Sequence, residues 1–225
     1  MPIINKNKAK YVQRFLLKWY EKNKRELPWR NIKSNNKTNA YYVLVSEFML
    51  QQTTVNTVTK RFNEFIKLWP SIDKLSRISE NRILRFWSGL GYYNRATNLL
   101  KTIKIISRDF KSKVPQHYDQ LIELPGVGDY TAKAILGIAY NQPVLPLDAN
   151  IKRIIARLYG IKTSLLLNKK TIEDIASKYQ SSNKASDLIQ SFMDYGSVIC
   201  LPRNPKCDEC LIEKFCEARK KHIQH

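Results

Sequence analysis

The sequence predicts an all-α fold, and three features of its pattern support that prediction. Apolar residues recur every three or four positions in most segments, which places them on one face of a helix. No segment alternates apolar and polar residues over the length of a strand. Proline and glycine mark several of the breaks between the helical segments. The 225 residues are enough to bury a core in one domain or in two lobes.

The same periodicity defines the individual helices in chain order. The LPWR segment at 27–30 ends the first helix, and the mostly polar stretch 31–39 is predicted to be a turn. Ser79 suits the N-cap of a helix that the GLG segment at 89–91 ends. Helices are predicted over residues 9–23, 41–52, 55–66, 80–87 and 96–106, from 129 onward, and over 151–158, 172–179 and 188–192.

The chain carries a large excess of positive charge. Its 39 Lys and Arg residues against 19 Asp and Glu residues give a formal net charge of +20, which favours a polyanionic partner, nucleic acid foremost. A membrane surface is the rival, but no apolar run approaches the length of a spanning helix. The lysine-rich start at 1–10 is not followed by the apolar core of a signal peptide, so we expect a cytoplasmic, nucleoid-associated protein.

A glycine-rich turn precedes one of the predicted helices. The LPGVG segment at 124–128 ends one helical pattern, and Asp129 opens the next. Gly126 and Gly128 allow successive backbone N–H groups to point outward, so such a turn can hold a phosphate without any side chain. The spacing alone fits a plain helix–helix connector equally well.

Glu47 is the first candidate for chemistry. It lies among apolar residues in the segment VLVSEFML at 43–50, with apolar neighbours on its own helical face. Desolvation in such a place raises the pKa of a carboxyl group, as a proton donor working near neutral pH requires. The local sequence also fits a glutamate at a helix edge that is paired with a lysine.

Asp148 is the second candidate. It lies just before the helix predicted over 151–158, where aspartate is a favoured N-cap that accepts backbone N–H bonds. The helix dipole and those donors favour the ionised carboxylate, and a fixed negative charge stabilises a positively charged transition state. The structural and the chemical role can hold at once.

All four cysteines lie near the C-terminus. Cys200, Cys207, Cys210 and Cys216 have the spacing C-x6-C-x2-C-x5-C and alternate with basic residues. A disulfide framework would usually spread its bridges over the chain, so this concentration indicates ligands to a metal. By spacing alone, four thiolates fit either Zn²⁺ or a [4Fe–4S] cluster.

These motifs together resemble those of the endonuclease III and MutY family of helix-hairpin-helix DNA glycosylases, and most closely the MutY-type adenine glycosylases. The matching segments are LPWR at 27–30, SEFMLQQT at 46–53, LPGVG at 124–128, LDAN at 147–150 and the cysteine spacing. The resemblance therefore covers nearly the whole chain.

The resemblance implies a two-lobed fold and an iron–sulfur cofactor. A six-helix barrel that contains the helix-hairpin-helix is expected over residues 32–141. An iron–sulfur cluster lobe is expected to combine residues 1–31 with 142–225. The four cysteines are then the ligands of a [4Fe–4S] cluster that staples a basic loop onto DNA phosphates.

The resemblance also implies a chemical role for several residues. Glu47 falls on the catalytic glutamate of the family, and Asp148 falls on the aspartate that supports it. Tyr130 stands where bifunctional relatives carry a nucleophilic lysine, which implies glycosidic hydrolysis without lyase activity. A core aromatic is the alternative for Tyr130, and Lys133 is either a phosphate contact or a surface residue.

Two further segments are implied to contact DNA. In MutY-type enzymes a glutamine and a tyrosine wedge into the base stack beside the mismatch, and the matching positions are 51 or 52 and 92 or 93. Two core tyrosines at a helix start are the alternative for positions 92 and 93. The expected DNA-binding set is Gln51, Gln52, Tyr92, Tyr93, Gly126, Gly128 and Lys133.

We therefore expect a monomeric mismatch glycosylase of base excision repair that removes adenine opposite guanine or 8-oxoguanine in double-stranded DNA. Ala149 stands where adenine glycosylases usually carry glycine, and the sequence ends at His225 without the C-terminal domain that inspects 8-oxoguanine in MutY-type enzymes. These departures, with Tyr130, suit a thymine or uracil glycosylase acting on T·G and U·G mismatches. A non-catalytic helix-hairpin-helix DNA-binding protein is the other alternative, but it has no need for Glu47 and Asp148.

Overall fold

The computed structural model describes residues 6–30, 33–34, 37–161, 169–179 and 183–220. These residues form twelve α-helices with short 3₁₀ and π turns, so the predicted all-α class is confirmed. Within the stretch predicted to be a turn, strand β1 (Lys33–Ser34) pairs antiparallel with strand β2 (Lys37–Thr38). Strands of two residues are too short to show the alternation by which a sequence identifies a strand.

The helices follow the predicted apolar stripes with small shifts at their ends. The helix over Ile72–Ser76 was not predicted, because five residues are too short to show a helical period. Ser79 precedes its helix in an extended conformation, but its side chain makes no capping hydrogen bond to a described residue. In chain order the helices are α1 (Lys6–Asn23), α2 (Ala40–Leu50), α3 (Val55–Leu68), α4 (Ile72–Ser76), α5 (Glu80–Trp87), α6 (Asn94–Asp109), α7 (Tyr118–Ile122), α8 (Asp129–Ala134), α9 (Ala149–Tyr159), α10 (Lys169–Ala176), α11 (Ala185–Val198) and α12 (Glu217–Lys220).

The chain divides into two compact units. One combines Met1–Arg25 with Asn141–His225, and we call it the cysteine unit. The other is Glu26–Tyr140, which we call the hairpin unit because it contains the glycine-rich turn. The domain boundary that the sequence places between residues 31 and 32 lies outside the described residues.

Helix α2 is the buried centre of the hairpin unit. Its nine consecutive residues Tyr41 to Met49 are all buried, because α2 packs against α3, α6 and the π-helical turn Ile135–Ala139 that continues α8. Beside it the ring of Phe62 lies edge-on to those of Trp29 and Tyr42, with centroids 5.4 and 5.8 Å away. Since neighbouring elements cover several faces of α2, a polar residue on this helix is buried as well.

Helix α11 is the centre of the cysteine unit and packs against both α1 and α9. Its fully buried Asp194 accepts hydrogen bonds from the backbone N–H of Arg25 at 3.0 Å and from Arg25 Nε at 2.6 Å. A buried carboxylate needs such charge-assisted donors, so this pair fixes the end of the α1 segment on α11. Gly196 lets α9 approach closely, because a Cβ there would lie 2.6 Å from Asn150 Cβ.

No described helix is both long and apolar enough to cross a membrane.

Candidate functional site

The glycine-rich turn between α7 and α8 packs against two other helices of the hairpin unit. Gly126 has a φ of +79°, and a Cβ there would lie 2.8 Å from Phe48 Cε1 on α2 and 2.9 Å from Asn98 Cβ on α6. Gly128 has a φ of −96°, and no described atom lies within 4 Å of the place that its Cβ would take. The fold therefore requires glycine at position 126, whereas the space beside Gly128 is open.

Four of the expected DNA-binding residues lie together on the surface of the hairpin unit. Gln51, Gln52, Tyr92 and Tyr93 line one surface cavity. The two tyrosines are 62% and 49% exposed, so the alternative that they are core residues is wrong. Gln51 Nε2 donates a hydrogen bond to the carbonyl of Gly126 at 3.3 Å, which joins this cavity to the glycine-rich turn.

Arg95 lies at the start of α6, and no sequence motif indicates that it belongs to the site. Its side chain nevertheless connects the segments around this cavity. It is 7% exposed, and its donors reach six backbone carbonyls, three at the end of α2 and three in the loop before α6. Burial lowers the pKa of the Arg95 guanidinium, and the nearby Tyr92 partly offsets that effect. The acceptors are the carbonyls of Phe48 (3.2 Å), Met49 (2.7 Å), Gln51, Leu90 (2.9 Å), Gly91 (2.9 Å) and Tyr92 (3.4 Å).

Glu47 lies on α2, one helical turn before Gln51. It is 6% exposed and lies within the buried run of that helix, as the apolar sequence around it predicts. This burial contradicts the helix-edge position of the alternative interpretation, whereas the pairing of Glu47 with a lysine stays a prediction. Glu47 thus lies in the protein interior, one helical turn from a residue that lines the surface cavity.

Tyr130 and Lys133 lie on α8, and both are half-buried. Lys133 Nζ forms an ion pair with Asp129 Oδ1 at 2.7 Å, and the Tyr118 hydroxyl donates to the same oxygen at 2.8 Å. Exposed ion pairs of this kind are worth little, so the ammonium group can be shared with a passing anion at small cost. The assignment of Lys133 to a phosphate stays a prediction.

Asp148, in the cysteine unit, is the N-cap of α9. Its Oδ1 accepts from the Ile151 N–H at 2.6 Å and its Oδ2 accepts from Asn150 Nδ2 at 3.1 Å, so the predicted cap is confirmed. Burial nevertheless raises the pKa of the Asp148 carboxyl, because desolvation outweighs these two donors and the positive charge of Arg153. The sequence predicts that the N-cap donors keep this carboxylate ionised. In the structure these donors do not fully compensate for the loss of hydration of the charged group.

Arg153 connects this cap to the cysteine segment. Its Nη2 donates to Asn150 Oδ1 at 2.8 Å and to the carbonyl of Gly196 at 2.7 Å, and its Nε donates to the carbonyl of Cys200 at 2.9 Å. The sequence pattern identifies only the apolar stripe of α9, because two of these acceptors lie more than forty residues further along the chain. Asp148 and the first cysteine are thus parts of one hydrogen-bonded network.

The four cysteines are brought together in the cysteine unit. Arg157 Nη1 lies 3.4 Å from Cys200 Sγ, and the Tyr195 hydroxyl lies 3.3 Å from Cys210 Sγ, so two sulfur atoms have a hydrogen-bond donor. Among the described residues, no three Cys, His, Asp or Glu side chains converge closely enough to hold one metal ion. One cavity is lined by Cys200, Cys207, Cys210 and Cys216, all of them free thiols in the described part of the chain.

The turn between α7 and α8 places the chain in the helix-hairpin-helix class. Residues 45–181 match the family model described as HhH-GPD superfamily base excision DNA repair protein. The match covers more than half of the chain, which therefore belongs to the HhH-GPD superfamily of base excision DNA repair proteins.

Individual relatives agree with this membership. The chain is 42% identical over 208 residues to an adenine DNA glycosylase of Buchnera aphidicola subsp. Baizongia pistaciae, a match that covers 90% of this chain and 57% of the relative. It thus spans little more than half the length of that protein. The structure of a thermostable thymine-DNA glycosylase superposes with a TM-score of 0.85 at 28% identity, covering 96% of this chain and 98% of the other. A non-covalent endonuclease III–DNA complex shares the fold with a TM-score of 0.79 at 19% identity, covering 98% of this chain and 99% of the other.

The two hairpin glycines should differ in their effect on stability. Gly126→Ala is expected to lower the free energy of unfolding by roughly 1–3 kcal/mol, because its Cβ would collide with Phe48 and Asn98 at a positive φ. Gly128→Ala is the matched control and should change it by less than about 0.5 kcal/mol. Urea unfolding of both variants checks this, and an equally large loss in Gly128→Ala would contradict it.

The raised pKa of Asp148 predicts a particular pH dependence of stability. Because the folded-state pKa lies above the ordinary value of 3.8, ionisation of Asp148 weakens folding as the pH rises through that raised pKa. The variant Asp148→Asn lacks this ionisation, so its free energy of unfolding should rise relative to wild type as the pH increases above about 4. Urea unfolding at a series of pH values measures the difference, and a constant difference would refute the assignment.

Proposed function

We propose that this chain is a DNA N-glycosylase of base excision repair that removes adenine opposite guanine or 8-oxoguanine by hydrolysing the N-glycosidic bond. The observation that carries the proposal is Glu47, a carboxyl group only 6% exposed, one turn before the glutamines of the surface cavity. The 42% identity to an adenine DNA glycosylase supports the choice of adenine.

In this proposal Glu47 and Asp148 divide the work of bond cleavage. Glu47 donates a proton to the leaving base, and adenine suits such a donor because protonation at N7 makes it a good leaving group. Asp148, once ionised, stabilises the positive charge that develops on the sugar. The N-cap hydrogen bond from Ile151 and the contact with Asn150 hold its carboxylate in one orientation.

Tyr130 limits the reaction to base removal. A tyrosine at the second position of α8 cannot form the Schiff base that a lysine nucleophile would form there. The enzyme should therefore leave an abasic site in an intact strand. Lys133, three residues further on, is held in its ion pair with Asp129 and is assigned to phosphate binding.

The proposal assigns DNA binding to exposed groups of the hairpin unit. A glutamine of the 51–52 pair and Tyr92 or Tyr93 enter the base stack, which offsets part of the few kcal/mol that extruding a base costs. The open space beside Gly128 allows a phosphate to approach the backbone of the turn.

We assign residues 32–141 to the six-helix barrel, and 1–31 with 142–225 to the cluster lobe. The bound form is a monomer on mismatched duplex DNA, in the cytoplasm at the nucleoid.

We further propose that the four cysteines hold a [4Fe–4S] cluster. All four line one cavity, and their spacing matches that of the cluster loop of the endonuclease III family. When bound, the cluster supplies iron–thiolate bonds that tie the end of α11 to the segment 207–216. Arg157 and Tyr195 orient the sulfur atoms of Cys200 and Cys210 through their hydrogen bonds.

A thymine or uracil glycosylase acting opposite guanine is the second candidate. The likeness to a thermostable thymine-DNA glycosylase favours it, because this chain covers 98% of that structure with a TM-score of 0.85. Ala149 and Tyr130 are compatible with it as well. Thymine has no N7 to protonate and departs as an anion, so Glu47 could not assist its departure in the same way.

The base released decides between these candidates. In single-turnover assays on A·G, A·8-oxoguanine, T·G and U·G duplexes of one sequence, adenine should be released fastest and the strand should stay intact until alkali is added. Glu47→Gln should lower that rate by about 10²- to 10⁴-fold, while affinity for an undamaged duplex is retained. Faster release of thymine or uracil would favour the second candidate, and no release from any duplex would indicate a non-catalytic binding protein.

The cluster proposal predicts the metal content. Protein purified anaerobically should be brown and contain about four irons per chain. Cys210→Ser should lose most of this iron, because it removes one of four thiolate ligands, whereas Ser76→Ala, in the hairpin unit, should retain it. Stoichiometric zinc in place of iron would overturn the assignment.

A further inference from the structure

Two exposed segments of the hairpin unit share an unfavourable backbone conformation. Gln52, just after α2, has a φ of 57°, and Tyr92, just before α6, has a φ of 49°. Both side chains are exposed, so the packing of these side chains does not explain the conformation. Positive φ at residues with a Cβ persists only when the surroundings impose it. The constraint must therefore act on the backbone.

Arg95 supplies such a constraint on both segments. Its Nη1 donates to the carbonyls of Met49 and Gln51 at the end of α2, where helix carbonyls lack intrahelical partners. Its Nη2 donates to the carbonyls of Leu90 and Gly91 in the other segment. One rigid guanidinium plane thus fixes the distance between the two backbones.

Only arginine can make this connection. Its five N–H donors lie in one plane and diverge, so they reach acceptors on two sides at once. A lysine carries its three donors on a single nitrogen and cannot span both groups of carbonyls. The acceptors are all backbone carbonyls, so the contact sets the position of the chain itself, whichever side chains it carries.

We infer that Arg95 is a positioning residue for base extrusion, which sets the spacing between Gln51–Gln52 and Tyr92–Tyr93. The inference rests on the proposed function, because it takes one of these glutamines and one of these tyrosines as the residues that enter the base stack. Two groups that enter one stack must keep a fixed separation, and a displacement of about 1 Å can cost on the order of a hundredfold in rate. Arg95 touches neither base nor sugar in this role.

The first experiment compares Arg95→Lys with Arg108→Lys, which makes the same replacement at an exposed position of α6. Arg95→Lys should lower the single-turnover rate of base release on the order of tenfold to a hundredfold, and should lower the fluorescence gain of 2-aminopurine placed beside the mismatch. Its affinity for an undamaged duplex should stay within about twofold, because both variants keep the net charge. Arg108→Lys should match wild type in every assay. A rate for Arg95→Lys within about twofold of wild type would overturn the inference.

A double-mutant cycle separates positioning from a general loss of structure. If Arg95 acts through Tyr92 or Tyr93, Arg95→Lys should lower the rate by less than about twofold further once both tyrosines are replaced by alanine. If the lysine variant merely weakens the fold, the two losses should multiply. Multiplied losses would overturn the inference.

Hydrogen exchange tests the inference without any assay of activity. In wild type the amides of 51–54 and 89–94 should exchange slowly, and Arg95→Lys should speed exchange in these two segments but not in the hairpin 118–134. Fast exchange of either segment in wild type would overturn the inference even if the lysine variant does not fold. If wild type releases no base from any duplex, the proposed function fails, and this exchange pattern alone decides whether Arg95 holds the two segments.

Discussion

The burial of α2 is the constraint on which the rest of the hairpin unit depends. Because neighbouring elements cover this helix, Glu47 is removed from water although it is a carboxylic acid. For the same reason the last carbonyls of α2 need donors from the protein, which Arg95 provides. The glycine at position 126 follows as well, since the turn lies directly against Phe48. A buried acid, a loop held by Arg95 and a tight turn thus share one physical origin.

Buried and half-buried arginines have a similar task in both units. Arg95, Arg153 and Arg157 direct most of their donors to backbone carbonyls, several of them more than forty residues away, and none of these hydrogen bonds goes to a carboxylate. Part of the net charge of +20 is therefore used inside the protein, where it is not available to phosphates. The charge excess indicates a polyanionic partner. It overstates the number of cationic side chains that can contact that partner.

What the sequence could predict was local. The helical stripes, the N-cap at Asp148 and the burial of Glu47 depend on residues within a few positions of each other, and the structure bears them out. Arg95 and Arg153 escaped notice because three acceptors of Arg95 and two of Arg153 lie more than forty residues away. Gly126 was singled out for phosphate binding, whereas its necessity comes from packing against Phe48 and Asn98. Likewise, no pattern reveals that desolvation outweighs the donors around Asp148.

The cysteine unit is discontinuous in the sequence, and this affects the order in which the protein can fold as it is synthesised. The residues of α1 leave the ribosome before the hairpin unit, yet their partner helix α11 is made after it. The hairpin unit is one continuous segment and can complete its contacts while the chain is still growing. The apolar face of α1 must wait, and the ion pair between Arg25 and Asp194 can form only after the whole hairpin unit has been translated.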